Sequence, residues 1–98
     1  MSYILITADF PGVASDNHVY ISSNLEQKYW RKVSEQDTCI NTTWYRFFPN
    51  DISEETAKNT AIRNFIDSSN LYCAPKLVLH FGINRPTFHG YPITSLSL

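Results

Sequence analysis

Apolar positions run almost unbroken through Tyr3, Ile4, Leu5 and Ile6. They give way to Thr7, Ala8 and Asp9 before Pro11 and Gly12 interrupt the segment. A short apolar run bounded by turn formers predicts a buried strand over residues 3–7. The stretch "DFPGVASDN" then predicts a turn, and Ser15, Asp16 or Asn17 is placed to cap a helix running to about Lys28. Ile21, Leu25 and Tyr29 recur at spacings of four, which puts them on one helical face. The β-branched Val19 and Ile21 weaken that helix by restricting χ1.

Residues 29–33, "YWRKV", predict a short strand, followed by a polar turn in "SEQD". Residues 38–48, "TCINTTWYRFF", are rich in Thr and aromatics and predict a longer strand. Its alternation puts Ile40, Thr42, Trp44 and Phe48 on one face and Cys39, Asn41, Tyr45 and Phe47 on the other. After Pro49 comes the clearest helical pattern. Asp51 with Glu54, or Ser53 alone, supplies the N-cap. Glu54 and Glu55 lie where the helix dipole favours acids. Ala57, Ala61 and Phe65, with Ile62 and Ile66, form the apolar stripe, and "DSSN" ends it. Residues 75–84 predict a last core strand, with Leu77, Leu79, Phe81 and Ile83 on one face and His80 on the other. In the tail at 85–98, Phe88, Tyr91 and Ile93 are the residues for a further edge strand.

The element order is strand, helix, strand, strand, helix, strand. It predicts an α+β, ferredoxin-like βαββαβ fold, a four-stranded antiparallel sheet with two helices on one face. In that arrangement the first and last strands, with their nearly continuous apolar runs, read as central in the sheet. The 98 residues make one domain, long enough for a core without staples.

Charge narrows the function classes. Eight Lys plus Arg against nine Asp plus Glu leave a net charge of −1, which disfavours nucleic acid as a partner. Cys39 and Cys73 lie outside any zinc-type spacing and read as free thiols in a cytoplasmic protein. No basic-plus-apolar leader pattern occurs at the start of the sequence, and no apolar run approaches a membrane span, so no membrane partner is expected. His18, His80 and His89 have no carboxylate at helical spacing, no "GxSxG" surrounds a serine, and no Gly-rich phosphate loop is present.

The residues "YILITADFPG", Trp30, "TTW" at 42–44 and "KLVLHFGINRP" resemble the CRISPR-associated second endoribonuclease family and its SinR-type relatives. The resemblance covers roughly the first 85 residues. It implies a homodimer in which Asp9 of each chain faces its twin, is catalytic, and holds a divalent metal such as Mg²⁺ for phosphodiester cleavage. Read from the residues alone, Asp9 is instead the cap of the "DFPG" turn.

The aromatics carry the other expectation. The face of the sheet without helices has to meet water or a partner, and Trp, Tyr and Arg are enriched at interface anchors. Trp44, Arg46, Phe88 and Tyr91 are therefore the expected partner-binding residues. Stacking of RNA bases on the same aromatics is the competing use. Small, acidic, aromatic-rich domains of this fold also serve as antitoxins and immunity proteins. The first functional expectation is thus a cofactor-free domain that neutralises a protein partner, such as a toxin. The second is the Mg²⁺-dependent nuclease.

Overall fold

The computed structural model describes residues 1–36 and 42–87. Its elements are β1 (Ser2–Asp9), α1 (Ser15–Gln27), β2 (Arg31–Lys32), a 3-10 helix (Val33–Gln36), β3 (Thr43–Phe48), α2 (Glu54–Ser69) and β4 (Lys76–Ile83). The expected start of the third strand, with Cys39, Ile40 and Asn41, lies outside the described residues. So do the tail's Phe88, His89, Tyr91 and Ile93.

The fold is the ferredoxin-like βαββαβ arrangement, with a four-stranded antiparallel sheet in the order β2-β3-β1-β4. One expectation changes. β1 is central, antiparallel to β3 on one side and to β4 on the other. β4 is not central: among the described residues it pairs with β1 only. Its run of apolar residues misleads, because Val78 and Ile83 are 74% and 72% exposed. Only Leu77, Leu79 and Phe81 turn toward the core, and they are half-buried against it.

Both helices pack on one face. Ile4, Ile6 and Ala8 of β1 alternate inward and meet Trp44 and Phe48 of β3. Ile21 and Leu25 of α1 and Ala57, Ala61 and Phe65 of α2 cover them. Phe65 is the hub. The Trp30 and Trp44 rings meet it edge-on at centroid distances of 4.9 and 6.3 Å, and Phe10 stacks on it at 6.5 Å. Edge-to-face and offset geometries match the ring quadrupoles and add to area burial. Ile62 and Ile66 belong to the predicted stripe but sit on its flank, 37% and 39% exposed.

The helix ends differ. Ser53 caps α2, its Oγ accepting the Thr56 N–H at 3.1 Å, so of the two caps the sequence offers the chain uses Ser53 and not Asp51 with Glu54. α1 has Ala14 at its N-cap and no side-chain cap, so none of Ser15, Asp16 and Asn17 does the expected job. They fall inside the first turn, and α1 is held by the burial of Ile21 and Leu25 instead. Its C-terminus closes as a Schellman motif. The Tyr29 N–H donates to the Glu26 carbonyl (3.1 Å) and the Trp30 N–H to the Leu25 carbonyl (3.1 Å). Leu25 and Trp30, the apolar pair that accompanies this motif, are both fully buried.

That motif shortens the predicted strand at 29–33 to Arg31–Lys32, since Tyr29 and Trp30 are spent on the helix end. Where a polar turn was predicted, the chain forms the 3-10 helix. Tyr29 occupies the position that usually holds glycine, with φ +72°. A Cβ in that region costs roughly 1–2 kcal/mol. The ring recovers little by burial, being 76% exposed.

Candidate functional site

Three places gather polar or aromatic chemistry, and Asp9 belongs to the first. β1 delivers its carboxylate to the exposed strand tip, directly across from Lys76 of β4. The following turn does not use the Asp9 side chain. It closes through the Val13 N–H and the Phe10 carbonyl (3.4 Å), with Gly12 at φ +72°. Asp9 is thus a solvated strand end facing a lysine, and the expected turn cap is absent among the described residues. The Cys73 thiol is pushed above its ordinary range, chiefly by burial and further by the negative charge of Asp9.

The fold brings Asp9 beside side chains the sequence keeps apart. Asp9, Phe10, His18, Ser22, Lys32 and Trp44 line a cleft of about 120 Å³ between β1, α1 and β2. His18 touches the Phe10 ring edge-on (6.2 Å), and the Lys32 ammonium lies 5.2 Å from the Trp44 ring centroid. The signal for this cluster was weak, because the turn after β1 sets its geometry. Among the described residues no hydrogen bond joins Asp9, His18, Ser22 and Lys32 to one another.

A divalent site needs several oxygen ligands. Among the described residues no group of three or more His, Cys, Asp or Glu converges on one point. Asp9 with Lys76 opposite does not fit Mg²⁺ within one chain.

The second place is the face of the sheet away from the helices. Cross-strand register sets Tyr3 beside Phe47 and Gly82, Leu5 beside Tyr45 and His80, and Thr7 beside Thr43 and Val78. The Tyr3 ring lies over Gly82, where a Cβ would collide with it, and meets His80 at 6.5 Å. Tyr45 and Phe47 meet edge-on at 5.7 Å, and the Arg85 guanidinium sits 5.5 Å from the Phe47 ring. Toward β4 the face opens to solvent at Val78 and His80.

The expected anchors are not on that face. Trp44 is 2% exposed and turns into the helix-covered core, so it presents no surface to a partner. Strand alternation carries Arg46 to the same side, where it is half-buried. Phe88 and Tyr91 lie outside the described residues.

Arg46 marks the third place. Its Nη1 donates to Asn64 Oδ1 (2.8 Å), an oxygen that also accepts the Trp30 indole N–H (3.0 Å). The guanidinium is flanked by Phe48 at 4.6 Å and Tyr29 at 5.4 Å from the ring centroids. Its Nε is buried with no acceptor among the described residues. Burial lowers its pKa from the ordinary arginine value, and the nearby Tyr29 hydroxyl opposes that shift. Tyr29, Arg31, Tyr45, Arg46 and Phe47 line a recess of about 390 Å³ beside it.

Compared with known proteins, the chain matches no family model, no curated protein and no solved structure. Among the described residues no helix is long and apolar enough to cross a membrane.

Proposed function

We propose that this chain is a cytoplasmic, non-enzymatic protein-binding domain, of the antitoxin or immunity-protein kind, that neutralises a partner through the sheet face left bare by its helices. One observation carries the reading. The face holds Tyr3, Leu5, Phe47, His80 and a 74%-exposed Val78 in cross-strand register, and neither α-helix packs on it. Apolar and aromatic side chains on a rigid sheet suit a desolvated contact patch. The free Cys73 thiol accords with a reducing compartment. A second copy of the chain could use the same face.

The test is affinity capture of the tagged protein from its native host, with mass spectrometry, run for the wild type and Val78→Asp. The variant is expected to keep its circular dichroism and lose the captured partner. Retention of the same partner by Val78→Asp would refute the proposal. An Mg²⁺-dependent RNA cleavage assay runs alongside. Cleavage abolished by Asp9→Asn would establish the nuclease, with Asp9 as metal ligand in a homodimer, in its place.

A further inference from the structure

We infer that Arg46, with Tyr29 against it, forms a recognition site for a carboxylate of an acidic protein segment. This inference rests on the protein-binding reading and names the chemistry of the partner. The Arg46 guanidinium is half-buried, yet among the described residues no carboxylate pairs with it. One edge is fixed by Asn64, whose amide oxygen is already shared with Trp30. The faces are fixed by Phe48 and Tyr29. What is left over is donor capacity: Nη1 is used by Asn64 and Nε is buried, which leaves Nη2, with no acceptor among the described residues, as the group that can donate outward. A guanidinium held in place on one edge and both faces is preorganised for a charge-assisted N–H···O bond to a carboxylate.

Tyr29 is the independent observation. A tyrosine stands in the left-handed position where glycine would be unstrained, and its ring is neither buried in the core nor hydrogen-bonded among the described residues. Backbone strain at a residue whose ring lies outside the core concentrates where ligands are clamped. The ring walls the recess beside Arg46, and Arg31, opposite Tyr45 in register, adds positive charge to its lining. The ligand is a carboxylate rather than the phosphate chain of a nucleic acid. A polyphosphate backbone requires a row of cations, whereas this recess is lined by two arginines on a chain of net charge −1.

The experiment follows the Arg46 Nε–Hε signal in ¹⁵N-labelled full-length protein, assigned through its loss in Arg46→Lys. The probes are a short peptide of alternating Glu and Gly, its Gln counterpart and a short uridylate oligonucleotide. The Glu peptide is expected to shift the signal saturably. The Gln peptide should bind about tenfold more weakly or worse, the scale of one charge-assisted pair. In Tyr29→Gly the protein should melt at the same or a higher temperature, yet Glu-peptide affinity should fall by a similar factor. A structural role for Tyr29 predicts unchanged affinity. No saturable shift, equal binding of the Gln peptide, or unchanged affinity in Tyr29→Gly would overturn the site. Stronger binding of the oligonucleotide at Arg46 would reassign it to nucleic acid. The Val78→Asp capture experiment reads β4, separated by β1 from Arg46 on β3, so either proposal can fail alone.

Discussion

The two faces of the sheet are built from similar residues and do different things. On the helix side, Ile4, Ile6, Trp44 and Phe48 are at most 4% exposed and converge on Phe65. On the other side, Tyr3, Leu5 and Phe47 are half-buried, while Val78 and His80 are exposed. Aromatic content does not separate the faces, since β3 places Trp44 and Phe48 on one and Tyr45 and Phe47 on the other. The difference is whether a helix arrives to complete the packing. Stability is therefore concentrated on one face, and the other is left able to bind.

That contrast has a scale. Phe65→Ala should destabilise by about 3–5 kcal/mol, because the rings of Trp30, Trp44 and Phe10 all lose their partner. Urea titration measures it, and a loss under about 1 kcal/mol would mean the helix face is not the core. Asn64→Leu is expected to cost about 1–3 kcal/mol in the same titration. It strands the Trp30 indole N–H and an Arg46 N–H that share one oxygen.

The open face is tightly packed at Gly82, which tests the contrast from the other direction. At Gly82 an added methyl meets the Tyr3 ring, so Gly82→Ala should cost about 1–3 kcal/mol unless the ring swings away. A near-neutral result with a changed Tyr3 fluorescence signal would show that the open face yields where the closed one does not. Val78→Ala, by contrast, should move the unfolding midpoint by no more than about 0.5 kcal/mol, as for an exposed side chain.

The smallest effect lies at the strand tip. The Cys73 thiol is raised by burial and by Asp9, so Asp9→Asn should shift the pH profile of iodoacetamide alkylation to lower pH. An unchanged profile would mean that the Asp9 charge does not reach the thiol. The sign for stability follows by linkage. A thiol whose native pKa is raised contributes stability that is fully present below the unfolded pKa. It is lost as pH rises through the native one, so folding should weaken toward alkaline pH.

Periodicity and turn chemistry alone determined the element order, the Phe65 stripe and the opposite facing of Trp44 and Tyr45, and narrowed the α2 cap to Ser53 or the Asp51–Glu54 pair. These rest on local rules, a period of 3.6 or of 2 and a side chain that reaches its own backbone. Which sheet face the helices cover is not local, and so Trp44 reads equally well as an anchor or as core. The position of β4 at the edge of the sheet formed by the described residues depends on which strands find each other, and a run of apolar residues is compatible with the edge or the centre. α1 forms without its expected cap because burial of Ile21 and Leu25 outweighs a missing hydrogen bond. The cleft at Asp9 and the recess at Arg46 existed in no segment of the sequence. Each joins side chains from separate elements, and only tertiary packing set Arg46, Asn64 and Trp30 around one oxygen atom.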